Sequence, residues 1–240
     1  MVNGEQAELP ATDTIPQQFD VRDVIAFTDC LTQTSPDGGF IFAALGSGTN
    51  TAAPTTSTLT RNHPGVQLWR STTTANSGYR AQTLGTMIQL GGGECWDVFF
   101  WTPNVLTTVL ARTGFDDSAT STAPADGAYL NISGTTLNGI NRNNTAQSAT
   151  ASSYTLATST WHHGRVEVNA NATLVTFTLF SESGTVLWTD TLSTNIPTGA
   201  GRVTGAGTIA YSSGTTAIDV LALDRQLFSV PGRILARGAD

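Results

Sequence analysis

Alternation of apolar and polar residues is the dominant pattern along the chain. Polar and apolar side chains alternate one by one over residues 165–169. Over residues 173–180, Val175, Phe177 and Leu179 fall on one face, with threonines at positions between them. A two-residue period places successive side chains on opposite faces of an extended strand. The chain is therefore predicted to consist of half-buried β-strands.

The clearest local unit is a hairpin over residues 173–192. One β-branched, aromatic-rich run ends at Phe180 and a second begins at Thr185, with a short glycine-containing turn at Glu182–Gly184 between them. Two such runs joined by a turn of this kind are typical of a β-hairpin.

Ten further segments have strand-like composition and end in clusters of Gly, Asn, Ser or Thr. They are residues 66–70, 79–84, 86–90, 94–102, 106–115, 127–132, 136–140, 153–157, 206–211 and 217–228. About a dozen closely spaced strands, without a sustained helical stripe, predict an all-β sandwich. A short helix over residues 20–31 is the one alternative, because the apolar residues there have helical spacing.

The strand pattern divides the chain into three parts. Residues 1–19 are polar, contain two prolines and have no periodicity, so we expect an extended N-terminal arm. Residues 20–228 form the sandwich, at a size that all-β chains commonly fold as one domain. Residues 229–240 form a C-terminal tail.

Composition removes several function classes. The chain has 240 residues, of which 12% are charged, against roughly 25% in ordinary soluble domains. Its net charge is −7 and its eleven basic residues are all arginine, so neither nucleic-acid binding nor a Walker loop is expected. No apolar run approaches the ~18 residues of a membrane span. The 41 threonines and 18 serines replace the missing ionic surface, and we expect their hydroxyls on the wet faces of strands.

The two cysteines, Cys30 and Cys95, match no metal-binding spacing and are too few for a disulfide framework. We predict two free thiols, with a single disulfide between them as the alternative. The first residues have neither the basic region nor the apolar stretch of a signal peptide, so we expect synthesis in a reducing cytoplasm.

Acidic and nucleophilic residues give little support for catalysis, and we predict no enzyme. Retaining glycosidases need two carboxyls about 5 Å apart, but no E-x-D-x-E pattern occurs, and Glu94 and Asp97 would point to opposite faces of a strand. No G-x-S-x-G nucleophile motif is present. Gly205–Ala210 fits G-x-G-x-x-A, but a strand pattern follows it instead of a helix, so we predict a loop followed by a strand.

Two kinds of ligand site have candidates. Asp116, Asp117 and Asp126 form the densest acidic group and could hold calcium, with a plain solvated acidic loop as the alternative. The adjacent His162 and His163 would face opposite ways on a strand and cannot both reach one metal.

Exposed tryptophans can stack on sugar rings, and Trp69 and Trp188 are the candidates for glycan binding, with core packing of at least three of the five tryptophans as the alternative. Trp96 and Trp101 lie in a segment that is apolar on both faces, so we predict that they are buried between the sheets.

Several motifs, in this order and spacing, resemble bacteriophage virion proteins that contain a concanavalin A-like (LamG-like) lectin/glucanase sandwich. They are Asn62–Leu68, Ser71–Thr74, Gly78-Tyr79, Arg112–Asp117, Asp126–Leu130, Thr160-Trp161, Arg165–Val168, Gly184–Trp188, Asn195–Thr198 and Ile218–Val220. The resemblance covers residues 27–228 and implies a concanavalin-like jelly-roll β-sandwich. The carboxylate signature of the family's catalytic relatives is absent, so no active site follows from the resemblance.

The resemblance implies a role in the virion, after assembly in the host cytoplasm. The first hypothesis is a non-enzymatic capsid decoration or head-fibre protein, anchored by the arm at residues 1–19 to other virion proteins such as a major capsid or tail protein. We expect several copies around a symmetry axis, as a homotrimer. The alternative is a carbohydrate-binding host-adhesion module of a tail fibre, with surface glycans as partners.

Overall fold

The computed structural model describes residues 24–28, 39–52, 63, 65–83, 86 and 88–230. Within them lie seventeen strands and one short 3-10 helix, Gly199–Arg202. The strands are β1 (Val24–Thr28), β2 (Phe40–Leu45), β3 (Thr49–Ala52), β4 (Gln67–Arg70), β5 (Ser77–Thr83), β6 (Ile88–Gln89), β7 (Cys95–Trp101), β8 (Val109–Asp116), β9 (Gly127–Ser133), β10 (Thr136–Asn143), β11 (Ala146–Ala149), β12 (Tyr154–Thr155), β13 (Trp161–Val168), β14 (Val175–Ser181), β15 (Val186–Leu192), β16 (Val203–Ser212) and β17 (Asp219–Ser229). The predicted all-β class is confirmed.

The strands form two antiparallel sheets that pack face to face. Sheet A has the order β15-β14-β13-β7-β17-β4-β3, and β1 also pairs with β17. Sheet B has the order β11-β10-β9-β8-β16-β5-β2, with β12 on β10 and β6 on β16. Strands distant in sequence are neighbours in both sheets, so the long crossovers of a jelly roll connect the two layers.

The predicted hairpin is present as β14 and β15. Val175, Phe177 and Leu179 are fully buried and point toward sheet B, as the two-residue period requires. Leu179 pairs with Trp188, and a bulge follows between Leu179 and Phe180. The bulge shifts the register of the pair at the end of β14.

Large apolar side chains from both sheets fill the core. The largest fully buried ones include Trp69, Trp96, Phe40, Phe100, Phe115 and Phe177. The indole N–H of Trp96 in sheet A donates to Thr113 Oγ1 at 2.8 Å, and Thr208 Oγ1 lies 2.8 Å from the same oxygen. This chain of hydrogen bonds links β7 of sheet A to β8 and β16 of sheet B.

The composition suggested that threonine hydroxyls face water, but several threonines of this chain are buried instead. Thr102, Thr113, Thr204 and Thr208 are buried to within a few per cent of full burial. A buried hydroxyl needs a hydrogen-bond partner, and Thr113 and Thr208 meet this need with each other and with Trp96. Threonine therefore supplies neutral polar links inside the sandwich as well as its wet surface.

Two local predictions are wrong, and the alternative of a short helix over residues 20–31 is not realised where the structure describes them. Residues 24–28 form a strand, which pairs with the end of β17. Gly205–Ala210 lies entirely inside β16, which pairs with both β8 and β5, so no loop interrupts it. Trp101 lies on the outer face of sheet A, half-buried, because it is an odd number of positions from the inward-facing Trp96.

The predicted arm at residues 1–19 and residues 231–240 of the predicted tail lie outside the described residues. In the described part of the chain, no helix reaches the length and apolarity that a bilayer crossing requires.

The outer face of sheet A carries a continuous stack of rings across neighbouring strands. The guanidinium of Arg225 lies 4.3 Å from the centre of the Phe99 ring. Phe99 stacks on His163, with 4.3 Å between ring centres, and His163 stacks in turn on Phe180 at 4.8 Å. We call Asp97, Phe99, His163, Arg165 and Phe180 the Asp97 cluster.

Asp97 is the anionic centre of this cluster. It accepts hydrogen bonds from His163 Nε2 and, at 2.8 and 3.2 Å, from two nitrogens of Arg165. Burial alone would raise the pKa of Asp97, but these hydrogen bonds and the positive charge of Arg165 hold it below its usual value. The ionised carboxylate therefore stabilises the folded state.

The first prediction concerns Asp97→Asn and acid stability. A carboxyl with a lowered pKa in the folded state contributes stability that is present above its unfolded pKa and is lost as pH falls through the folded pKa. We expect the variant to be less stable than the wild type at pH 7, with a difference that shrinks between about pH 5 and about pH 2. Urea unfolding across this range measures it. Glu167→Gln, an exposed carboxylate on the same face, should keep the wild-type pH dependence, and a constant Asp97→Asn difference would contradict the prediction.

The second prediction concerns Gly139, which lies inward on β10 against the ring of Phe177. A Cβ at Gly139 would overlap that ring, and Phe177 is fully buried and has no room to move. We expect Gly139→Ala to lower the free energy of unfolding by about 1–3 kcal/mol. Thr136→Ala, exposed on the same strand, should change it by less than about 0.5 kcal/mol. Equal effects in a denaturant titration would show that the glycine is not required by packing.

Candidate functional site

A cleft of about 540 Å³ opens at one end of sheet A. It lies between the start of β13, the turn after β14 and the short strand β12. It is lined by Tyr154, Ala157, Thr160, Trp161, His162, Ser181, Glu182, Ser183 and Leu187. We call it the Trp161 cleft.

The hairpin turn builds one wall of the cleft. Gly184 has a φ of +84°, a left-handed conformation that glycine adopts without strain. Its N–H donates to the Ser181 carbonyl at 2.9 Å, and the Ser181 N–H donates to the Thr185 carbonyl at 2.8 Å. The tight turn projects Glu182 and Ser183 beyond the sheet, and both are exposed.

Aromatic side chains form the opposite wall. Trp161 is only 6% exposed and packs on the outer face of sheet A with Val66 and Ala222. Tyr154 is half-buried, so it offers more of its ring to the cleft. The wall therefore combines a fixed indole with a more accessible phenol ring.

An imidazole joins this wall to two carboxylates. The ring of His63 stacks on Trp161, with 3.8 Å between ring centres and 17° between planes. Its Nδ1 lies 2.9 Å from Asp224 Oδ2 and its Nε2 lies 3.3 Å from Glu182 Oε1. A neutral imidazole can donate to one of these carboxylates and an imidazolium to both. His63 thereby positions Glu182 at the mouth of the cleft.

The floor of the cleft contains a buried histidine. His162 is 1% exposed, and neither ring nitrogen makes a hydrogen bond of normal geometry. Burial lowers the pKa of His162 to about 4, and a hydrogen-bonding contact with the Ala157 carbonyl opposes this. The ring is therefore neutral at physiological pH. As predicted, His162 and the outward His163 lie on opposite faces of β13.

The three predicted calcium ligands each have other partners. Asp116 is buried, with its Oδ2 at 2.7 Å from Arg112 Nε. Asp117 accepts from the backbone N–H groups of Ala125 and Asp126, and Asp126 Oδ1 accepts from the N–H of Asn144. Over the described residues, no three His, Cys, Asp or Glu side chains group in a way that could hold a metal ion. The geometry gives the predicted calcium site no support.

The two tryptophans predicted to bind glycans are both core residues. Trp69 is fully buried, facing Tyr79 inside the sandwich. Trp188 is 8% exposed, and its indole N–H donates to Ser152 Oγ at 3.0 Å. Neither ring has a free face for a sugar, so this prediction is wrong: the sequence pattern could not distinguish inward from outward tryptophans.

Cys95 is a free thiol on the outer face of β7, so it forms no disulfide. Burial raises the pKa of its thiol, and the neighbouring Asp97 adds to this rise. The thiol is therefore neutral and weakly nucleophilic. Cys30 lies outside the described residues.

The lining of the Trp161 cleft comes from residues 154–187, but the contacts that support it escaped prediction because they join residues far apart in sequence. His63 contacts Asp224 and Glu182 across 161 and 119 positions, respectively. The local signals were the hairpin turn, which fixed the place of Glu182 on a loop, and the alternation that put His162 and His163 on opposite faces.

The sequence profile of the family described as "SO2946-like, C-terminal domain" matches residues 62–224. No curated protein matches the chain.

Solved structures share the fold of this chain. A protein of unknown function, SO2946 from Shewanella oneidensis MR-1, has 23% identity and a TM-score of 0.72 over 85% of each chain. Lectin II from Ulex europaeus has 12% identity and a TM-score of 0.56, over 86% of this chain and 98% of that chain. The CBM2 module of an evolved Dit protein from Lactobacillus casei BL23 phage J-1 has 10% identity and a TM-score of 0.55, over 87% of this chain and 95% of that one.

These neighbours confirm the predicted concanavalin-like, lectin-type sandwich. At such low identity they establish the fold alone. Because the family profile covers more than half of its length, the chain belongs to the SO2946-like, C-terminal domain family.

Proposed function

We propose that the protein is a non-catalytic carbohydrate-binding module and that the Trp161 cleft is its binding site. The observation that carries the proposal is the combination, in one cleft, of the half-buried Tyr154 ring, an exposed carboxylate and a buried imidazole whose nitrogens lack hydrogen bonds of normal geometry. Saccharides are bound by apolar contact with ring faces and by hydrogen bonds from their hydroxyls, and this cleft offers both.

The arrangement of the carboxylates favours binding over hydrolysis. Glycoside hydrolysis needs two carboxyl groups with the sugar, or the sugar and a water, between them. Glu182 lines the cleft and Asp224 lies behind it, but the ring of His63 occupies the space between the two carboxylates. The pair therefore holds an imidazole instead of a substrate.

Two other cavities lack this combination. One of about 260 Å³ lies beside Asp116, which is already paired with Arg112. One of about 440 Å³, near Leu106 and Gly134, has neither an aromatic nor a charged side chain in its lining.

The third prediction tests the cleft as a saccharide site. We expect the protein to bind at least one glycan on an array. Tyr154→Ala should weaken that binding about fivefold, because an aromatic contact contributes about 1 kcal/mol. Isothermal titration with the best glycan measures the change.

Tyr211→Ala is the matched control, since Tyr211 is also half-buried but lies on β16, outside the lining of the cleft. It should leave the affinity unchanged. An array without any binding, or equal losses in the two variants, would contradict the proposal.

We also propose that the module works in a phage virion, as a host-adhesion component or as a capsid decoration protein. The order of motifs that resembles phage virion proteins supports this setting, and so does the shared fold with a module of a phage Dit protein. The low charge and abundant hydroxyls suit close packing between copies, because burying neutral hydroxyls costs less than burying ions. The trimer and the arm as anchor belong to this proposal.

The fourth prediction separates attachment from saccharide binding. Deleting residues 1–19 should abolish incorporation into phage particles, measured by mass spectrometry of purified virions. The same deletion should leave the affinity for the best glycan unchanged, since the Trp161 cleft lies in other residues. Full incorporation of the truncated chain would show that the arm is not the anchor.

A further inference from the structure

The lining of the Trp161 cleft contains negative charge but no arginine to balance it. Glu182 is the one carboxylate among the lining residues, and the lining contains no arginine. The nearest cations on the same face of sheet A are engaged elsewhere: Arg165 with Asp97, and Arg225 over the Phe99 ring. His63 lies between Glu182 and a second carboxylate, Asp224, so two carboxylates face one imidazole there. An entering ligand therefore meets a negative potential.

The side chain of Glu182 is available to a ligand. It is 53% exposed, and only Oε1 faces His63. An ionised carboxylate is a pure acceptor with room for several donors. Glu182 can therefore accept hydrogen bonds from sugar hydroxyls at the mouth of the cleft while it repels an anionic ligand.

His162 provides the complementary group at the floor. A polar side chain that is almost completely buried normally has a hydrogen-bond partner, but the ring nitrogens of His162 have none of normal geometry. In its neutral form the imidazole has one donor and one acceptor. The Ala157 carbonyl can only accept and therefore competes for the ring N–H, so a hydroxyl that reaches the floor can donate to the other nitrogen.

From these contacts we infer that the Trp161 cleft selects neutral saccharides and rejects acidic ones, with Glu182 and His162 as the groups that recognise hydroxyls. The inference rests on the proposed carbohydrate-binding function and narrows its ligand class. Sugars that carry carboxylate or sulfate groups near the cleft encounter Glu182 without a compensating cation. The net charge of −7 acts in the same direction at longer range.

Matched pairs of neutral sugars and their uronic acids test this selectivity. The probes are the methyl glycosides of galactose and glucose with those of galacturonic and glucuronic acid, titrated into the full chain at pH 7 and low salt. We expect the neutral member of a bound pair to bind about tenfold more tightly, the size of a single charge repulsion near a protein surface. Glu182→Gln should remove most of this difference by raising the affinity for the uronic acid.

Two controls keep the outcomes distinct. Glu167→Gln removes an exposed carboxylate at the other end of β13 and should preserve the tenfold selectivity. His162→Phe should reduce binding of the neutral sugar at least about tenfold while His162→Gln, which retains a donor and an acceptor, should remain within about threefold of wild type. Thermal unfolding verifies that each variant is folded.

Equal affinity of the wild type for neutral and acidic sugars would overturn the inference while leaving carbohydrate binding intact. Unchanged selectivity in Glu182→Gln would do the same for the role assigned to Glu182. If none of the probes and no array glycan binds, the proposed function itself fails.

Discussion

Burial of Trp96, Val98 and Phe100 between the two sheets fixes the direction of the remaining side chains on β7. Since a strand alternates its faces, the residues between them must point outward. Asp97 and Phe99 reach the outer face of sheet A for this reason, and the same alternation on β13 brings His163 and Arg165 beside them. The chemistry of the outer face thus depends on the packing of the inner one.

The chain has few charged residues, and the polar contacts between its two sheets are made by neutral side chains. Trp96, Thr113 and Thr208 form a hydrogen-bonded link between the layers without any charged group. The buried Arg112–Asp116 pair is an exception, and it lies on the outer side of sheet B, where loop carbonyls of Ser118 and Thr120 accept from Arg112. Charge is tolerated where a loop folds over the sheet, and neutral hydroxyls serve where the sheets meet.

Alternation made the fold class and the β14–β15 hairpin predictable, because both depend on neighbours two positions apart. It could not decide which of two faces is the inner one for isolated tryptophans, so Trp69 and Trp188 were assigned wrongly. The cleft was beyond prediction for a different reason: Asp224, which supports it through His63, is brought near β13 by the pairing of β13 with β7 and of β7 with β17, which no local pattern encodes. The hairpin turn that carries Glu182 was predictable, but His63, the partner of Glu182, lies more than a hundred residues away.

The pairing of β1 with β17 determines at which end of the sandwich Val24 and Ser229 lie relative to the Trp161 cleft. Val24 pairs with Ser229, and Ser229 pairs with Cys95 at the start of β7. Trp161 of the cleft pairs with Trp101, at the other end of β7. Six residue steps along β7 correspond to about 20 Å. A tether that leaves the sandwich before Val24 or after Ser229 therefore starts at the end of the sheet opposite the Trp161 cleft. In a copy anchored by such a tether, the cleft would point away from the surface that carries the protein.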